Sequence, residues 1–135
     1  MFKLLVADKD VNARKQIANI LIEAGYDVMV TDSAVKAIQD VLSNNAQVLL
    51  LGIELEGLNC AELLPLLKQC NRNLEIILVA NEAPLPLMRK LRKEGIFYHA
   101  FRPEESEGSE EIRQVVKCAI YNLSRTLDNH HTVVH

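Results

Sequence analysis

The chain has 135 residues, of which 49% are hydrophobic and 24% charged, a balance typical of one globular domain and not of a disordered segment. The net charge of -3 and the aromatic content of 4% argue against nucleic acid or an anionic membrane as the partner. Three cysteines at wide spacing match neither a disulfide framework nor a zinc site, so we expect reduced thiols in a cytoplasmic protein.

The first half of the chain predicts strands and helices in alternation. Apolar runs predict three strands, over Lys3–Ala7, Asp27–Thr31 and Val48–Leu51. Helical spacing of apolar residues predicts three helices, over Val11–Ala24, from Ser33 onward and over Asn59–Gln69. Asp10 is the expected N-cap of the first helix and Gly25 its terminator. Within the third helix, Pro65 predicts a kink or a break.

The second half continues the alternation. It predicts two strands, over Glu75–Ala80 and Tyr98–Phe101, and two helices, one ending at Glu94 before Gly95 and one over Ser109–Leu127. We expect a single domain over residues 1–127, followed by a disordered tail over 128–135. The histidines of that tail lack a third type of metal ligand nearby, so the sequence favours a frayed end over a metal site there.

Three of the five strands contain runs that are apolar throughout, LLVA, VLLL and IILV, as strands covered on both faces must. Five βα units with right-handed crossovers predict an α/β fold with a doubly wound parallel sheet of five strands. Functional sites in such sheets lie at the carboxyl ends of the strands. The candidate site residues are therefore those that follow each strand: Asp8, Lys9, Asp10, Gly52, Glu54, Ala80, Arg102 and Pro103.

From Lys3 to Leu127 the sequence resembles the receiver domains of two-component response regulators. The segment LLVADKDVNARKQIANILIEAGYDV is similar to the family's first strand, acidic cluster and first helix. QVLLLGIELEGLNCAELL is similar to the third strand and its active loop, and IILVAN and GIFYHAFRP to the last two strands. The resemblance implies a flavodoxin-like fold with strand order 2-1-3-4-5.

In that family an Asp after the third strand accepts a phosphoryl group, two acidic residues after the first strand hold Mg²⁺, and a hydroxyl and a Lys bind the phosphoryl oxygens. Here the acceptor position holds Gly52 and the second acidic position holds Lys9. The hydroxyl position holds Ala80, or Asn81 in the neighbouring register, and the lysine position holds Arg102. The family's Lys–Pro bond is usually cis, and the sequence leaves the Arg102–Pro103 bond open.

These departures predict a degenerate pseudo-receiver. Phosphoryl transfer needs a nucleophile, a metal that bridges the oxygens, and cations on the transferred group. Gly52 supplies no nucleophile, and a pocket of Asp8, Lys9 and Arg102 has a surplus positive charge, or none if Glu54 folds inward. We therefore expect no bound metal, no cofactor and no enzymatic activity.

Two readings of the basic residues remain open. Lys9 either pairs with Asp8 and locks one conformation, or is a solvated loop lysine, and the sequence favours the pair because positions beside a strand end usually point into the pocket. Lys9 and Arg102 either hold an anion or belong to an ion-pair cluster with acidic neighbours, and the sequence favours the cluster. Those neighbours are Asp8, Asp10 and Glu54.

Two charge runs flank the fifth strand and predict a contact surface. In receivers, the fourth helix, fifth strand and fifth helix commonly mediate dimers or output contacts. Here this face would carry Tyr98 and His99, the latter at the family's switch aromatic position and expected to pack. Basic and acidic residues on either side would be complementary in a two-fold homodimer: Arg89, Lys90 and Lys93 against Glu107 and Glu111.

The sequence thus predicts a signalling module that binds a protein partner, or itself, independently of phosphorylation. One alternative is a phospho-competent receiver with a relocated acceptor at Asp8 or Asp10. Another is a small-anion-binding module on the same fold. Neither a glycine-rich phosphate loop after the first strand nor a Cys followed six residues later by Arg is present, which argues against cofactor or phosphatase chemistry.

Overall fold

The chain folds around a parallel five-stranded sheet. The computed structural model describes residues 2–104 and 108–133, with side chains through Thr126 in the last helix. The sheet strands are β1 (Lys3–Ala7), β2 (Asp27–Thr31), β3 (Val48–Leu51), β6 (Glu75–Val79) and β7 (Tyr98–Ala100). They are hydrogen bonded in the order β2-β1-β3-β6-β7. The predicted fold class is confirmed, and the order is the one expected from the resemblance.

Five helices cover both faces of the sheet: α1 (Val11–Glu23), α2 (Ala34–Leu42), α3 (Cys60–Cys70), α4 (Leu85–Glu94) and α5 (Ser109–Val133). Because alternate strand residues point to opposite faces, β1 feeds two separate cores. Leu4 and Val6 pack with α1 and α5, whereas Leu5 packs with α2, α3 and α4. Burial on both faces explains why the inner strands are apolar beyond their first residues, which are Lys3 in β1 and Glu75 in β6.

The helices begin immediately after the loops at the carboxyl end of the sheet. The side chain of Asp10 accepts hydrogen bonds from the backbone N–H groups of Asn12 and Ala13 and caps α1, as predicted. Ser33 caps α2 in the same way. These caps satisfy N–H groups that have no partner within the helix, and they fix where each loop ends. The loops after β1 and β2 are consequently short, and each is anchored at the start of the helix that follows it.

Two helices differ from the prediction. α3 is continuous from Cys60 to Cys70 across Pro65, so of the predicted kink or break the break does not occur. Proline removes one backbone hydrogen bond, but the buried side chains of Leu63, Leu64 and Leu67 on one stripe hold the helix against the sheet. α5 runs to Val133, six residues beyond the predicted end, so most of the expected disordered tail is helical.

A short hairpin was predicted only as a loop. β4 (Glu54–Leu55) and β5 (Leu58–Asn59) pair antiparallel between β3 and α3. Glu56 and Gly57 form its two-residue turn with φ of 50° and 77°, the left-handed geometry that such turns require. The Glu56 carboxylate accepts a hydrogen bond from the backbone N–H of Ala34, which ties the hairpin to the start of α2.

Candidate functional site at the carboxyl ends of the strands

The structure brings together most of the predicted site residues at one edge of the sheet. Asp8 follows β1, Gly52 follows β3, Ala80 follows β6 and Arg102 lies just after β7. The backbone N–H of Gly52 donates to the carbonyl of Ala7 at 3.0 Å, which places the β3 loop beside the β1 loop. The parallel topology therefore brings these residues to the same edge of the sheet, as the spacing of the sequence predicts.

The Asp8 carboxylate fills the centre of this site. A Cβ atom built on Gly52 would lie 2.7 Å from Cγ and Oδ2 of Asp8 and 2.9 Å from Oδ1. Such distances are too short for any side chain at position 52 while Asp8 keeps its place. Asp8 itself is only 2% exposed. The glycine thus makes room for the Asp8 carboxylate, which fills the space above it.

Arg102 is the cation that pairs with Asp8. Its guanidinium Nη2 lies 3.8 Å from Oδ1 of Asp8, and Nη1 lies 3.3 Å from Oδ2 of Asp10. The backbone N–H of Arg102 donates to Oδ1 of Asn81 at 2.9 Å, so the loop after β7 is tied to the end of β6. The Arg102–Pro103 peptide bond is trans. One guanidinium therefore bridges two carboxylates of the β1 loop.

The predicted pair between Lys9 and Asp8 is wrong. The Lys9 ammonium lies 3.5 Å from Oε2 of Glu54, and the Lys9 side chain is 62% exposed. Lys9 therefore lies at the solvent-exposed side of the hairpin, and Arg102 is the cation that pairs with Asp8. The sequence favours an ion-pair cluster over an anion site, and the cluster is confirmed. Lys9 pairs with Glu54, and Arg102 pairs with Asp8 and Asp10.

The charge balance also differs from the expected surplus of positive charge. Asp10 and Glu54 both join the cluster, so three carboxylates face two cations. Burial raises the pKa of Asp8, against the opposing effects of the N–H of Asp10 and the Arg102 guanidinium. The N–H groups of Ala13 and Asn12, with Arg102, lower the pKa of Asp10. Oδ2 of Asp8 has no hydrogen-bond donor within the described residues.

Two side chains that position the site were not expected from the sequence. Arg14 of α1 donates from Nη1 to the backbone carbonyl of Asp8 at 2.7 Å and holds the β1 loop against the helix. Glu56 anchors the hairpin to α2. Arg14 follows Asp8 by six residues, about one helical turn into α1, and that spacing is the only signal that the sequence offers for its role.

The residues at this edge do not fit a Mg²⁺ ion. Mg²⁺ prefers several oxygen ligands in octahedral geometry, often including waters. Here position 52 has no side chain, and the guanidinium of Arg102 lies between the carboxylates of Asp8 and Asp10. Across the described ranges, no three or more His, Cys, Asp or Glu side chains are placed so that they could hold a metal ion together.

Asp8 makes folding stability depend on pH. Since burial raises its pKa in the folded chain above the ordinary 3.8, the folded state binds the Asp8 proton more tightly than the unfolded state. The contribution of Asp8 to the free energy of unfolding has its full value below pH 3.8 and is lost as pH rises through the pKa of Asp8 in the folded chain. We therefore expect Asp8→Asn to raise Tm at pH 7, with the gain disappearing below pH 3.8, in thermal melts across this range. A lower Tm at neutral pH would contradict this.

The predicted switch and output residues lie on β7, α4 and α5. Nε2 of His99 donates to the carbonyl of Ala80 at 2.7 Å, and its ring centroid is 5.5 Å from that of Phe101. The Glu111 carboxylate accepts a hydrogen bond from the backbone N–H of Phe101 at 2.9 Å. Tyr98 is exposed at this edge. The basic residues Arg89, Lys90 and Lys93 are exposed on α4, whereas Glu107 lies outside the described residues.

The chain is similar to several known proteins of one kind. It is 22% identical over 115 residues to sporulation initiation phosphotransferase F of Bacillus subtilis, covering 85% of this chain and 90% of that protein. A CheY-like receiver domain protein of Methanospirillum hungatei matches with a TM-score of 0.77 and 18% identity over 96% of this chain and 98% of that one. The beryllofluoride-activated NtrC4 receiver domain dimer matches with a TM-score of 0.80 and 17% identity, covering 91% and 99%.

None of the helices in the described part of the chain is long and apolar enough to cross a membrane. The similar structures are only 17% and 18% identical to this chain, so they show that the fold is shared and nothing further. Residues 4–117 match the response regulator receiver domain family. This match spans most of the chain, from β1 into α5, and the chain belongs to the response regulator receiver domain family.

Proposed function

We propose that this receiver domain signals through protein contacts without being phosphorylated after its third sheet strand. Receiver domains of response regulators act in two-component signalling, and this chain has their fold. The observation that carries the proposal is the Asp8 carboxylate above Gly52, which takes the space an acceptor side chain would need. Without an attacking oxygen at position 52, no phosphoryl group is transferred there.

The charge arrangement supports the same proposal. In phosphoryl transfer, cations and a metal neutralise the charge that develops on the transferred oxygens. The two cations of this site are engaged elsewhere, Lys9 with Glu54 and Arg102 with Asp8 and Asp10. Because these pairs form without phosphate, the loops after β1 and β7 are already joined in the resting chain. This also argues against the small-anion-binding alternative.

A relocated acceptor is the alternative with an observation in its favour. Oδ2 of Asp8 lies directly above Gly52 and has no donor within the described part of the chain. An oxygen of the right type is thus near the family's acceptor position. Against this, Asp8 is 2% exposed and its Oδ1 accepts the backbone N–H of Asp10 at 2.9 Å. A buried, constrained carboxylate is a poor nucleophile toward an incoming phosphoryl donor.

Phosphorylation by a small-molecule donor tests the proposal. We expect the protein to keep its unmodified mass after incubation with acetyl phosphate and Mg²⁺, while a phosphorylatable receiver treated in parallel gains one phosphoryl group. The measurement is intact mass spectrometry. A stoichiometric adduct would overturn the proposal, and its loss in Asp8→Asn or in Asp10→Asn would identify the relocated acceptor.

The face formed by α4, β7 and α5 is proposed as a contact surface with a protein partner or a second copy. A similar structure, the beryllofluoride-activated NtrC4 receiver domain, is a dimer. Exposed Arg89, Lys90 and Lys93 on α4 supply the basic half of the predicted pairing, and Glu111 at the start of α5 belongs to the acidic half. We expect a homodimer at low salt that dissociates at high salt, measured by sedimentation. A monomer under both conditions would contradict self-association.

A further inference from the structure

Helix α2 exposes large apolar side chains to solvent. Val35 and Leu42 are 62% and 66% exposed, and Ile38 between them is only partly buried. The small side chains of Ala34 and Ala37 are buried instead. A helix that packs on a sheet normally turns its large apolar residues inward and its charged residues outward. In α2 part of this arrangement is reversed.

The same helix buries a carboxylate. Asp40 is only 4% exposed. The ammonium of Lys36, one turn earlier in α2, lies 3.3 Å from Oδ1 of Asp40, whereas Oδ2 has no hydrogen-bond partner among the residues that the structure describes. Burying an incompletely paired carboxylate costs free energy. Covering the exposed side chains of Val35 and Leu42 in an interface would offset that cost.

Val35, Ile38 and Leu42 form one stripe along α2. Their spacing of three and four positions places them on the same side of the helix, about two turns from end to end. At the C-terminal end of α2 the stripe reaches a cleft of about 690 Å³, which Leu42 lines together with Lys3 and Leu123. The stripe is therefore a continuous apolar surface, in contrast to single exposed apolar residues, which are ordinary.

Charges of opposite sign lie at the two ends of this stripe. Asp32 directly precedes Ser33, the N-cap of α2, and its side chain is exposed. Lys3 is exposed at the other end, where it lines the same cleft as Leu42. Neither Asp32 nor Lys3 forms an ion pair with any described residue. In the described part of the chain, no acidic side chain lines that cleft.

We propose that α2 forms an antiparallel, two-fold pair with α2 of a second copy of this chain. In this pair Val35 of each copy contacts Leu42 of the other, and Ile38 lies near the symmetry axis, opposite its own counterpart. The same symmetry brings Asp32 of each copy to Lys3 of the other, so the two ends are complementary in charge. The antiparallel arrangement also sets the positive end of each helix dipole beside the negative end of the other.

This pairing is distinct from the contact proposed for α4, β7 and α5. β7 is one edge strand of the sheet, whereas α2 packs against β1, next to the other edge strand β2. The centre of the α2 pair is apolar and the α4 face is basic, so the two contacts respond differently to salt. The inference goes beyond the proposed function, because it assigns a second surface and a second copy of the chain as its occupant.

Sedimentation equilibrium of the full chain tests the inference. Two helices of nine residues make a small contact, so we expect a weak dimer, detected at protein concentrations up to about 1 mM and still present at high salt. Leu42→Lys should raise the dimer Kd about tenfold or more, because an apolar contact is lost at both ends of the pair. Ile22→Lys is the matched control, since Ile22 is 55% exposed on α1 and should leave the Kd unchanged. Both variants should keep the circular dichroism spectrum of the parent chain.

An exchange of charges tests the antiparallel register. Asp32→Lys should weaken the dimer, and Asp32→Lys combined with Lys3→Asp should restore it, because the ion pair forms again in reverse. A double variant as weak as the single one would overturn the antiparallel pairing. A monomer at every concentration, or equal effects of Leu42→Lys and Ile22→Lys, would overturn the inference as a whole. So would a dimer that high salt dissociates and Leu42→Lys leaves intact, which would assign self-association to the α4 face.

Discussion

Replacing Gly52 by Ala is expected to destabilise the fold by about 1–3 kcal/mol, the usual cost of overpacking a well-filled site. The new Cβ would lie within 2.9 Å of three atoms of the Asp8 carboxyl group. Asp8 would have to move, losing the hydrogen bond from the backbone N–H of Asp10 and its approach to Arg102. Chemical denaturation followed by circular dichroism measures the free energy of unfolding.

A double-mutant cycle separates this clash from other effects of the substitution. With Asp8→Ala in place, the carboxyl group that meets the new methyl group is gone, so Gly52→Ala should cost much less. The φ angle of Gly52 is outside the left-handed region, so alanine brings no backbone strain of its own. Equal costs in the two backgrounds would contradict the close packing of Asp8 on Gly52.

The same argument applies to restoring an acceptor. Gly52→Asp introduces the clash and places a second carboxylate against a buried one, which is costly unless one of them is protonated. We expect this variant to remain unmodified by acetyl phosphate or to be too unstable to purify, whereas Gly52→Asp combined with Asp8→Ala should be better folded. The loss of the acceptor is thus coupled to the conformation of Asp8.

Replacing Arg102 by Met is expected to destabilise the fold by about 1–2 kcal/mol. Removing one partner of a buried ion pair leaves the other charge uncompensated, but the partial exposure of Arg102 reduces the effect below that of a fully buried pair. The pKa of Asp8 should rise further, since Arg102 is one of the groups that lowers it. The free energy of unfolding at pH 7 and at acid pH gives both effects.

Lys9→Met is the matched control for Arg102→Met. Lys9 forms an exposed pair with Glu54, so its loss should change stability by less than about 0.5 kcal/mol. Arg102→Lys should be intermediate, because an ammonium cannot bridge two carboxylates as a guanidinium fork does. If Lys9→Met proved as damaging as Arg102→Met, the assignment of Arg102 as the central cation would be wrong.

The sequence alone determined the fold and the position of the site. Apolar strands alternating with helical patterns admit few arrangements other than a doubly wound parallel sheet, because strands without polar faces must be covered on both sides. The caps at Asp10 and Ser33 were equally local, since a side chain and the next helical turn are sufficient to specify them. The residues after each strand followed directly from this topology.

Only the tertiary structure decided how the site residues pair. Asp8 and Arg102 are 94 residues apart, and whether Asp8 meets Arg102 or the adjacent Lys9 depends on side-chain directions that no periodicity encodes. Likewise, the sequence shows that Gly52 lacks an acceptor side chain, but it does not show that the Asp8 carboxylate fills the space above the glycine. Helices and strands can be predicted from local sequence patterns because the interactions that specify them lie within one turn or one strand. Ion pairs and close packing depend instead on distances between secondary-structure elements that only folding brings together.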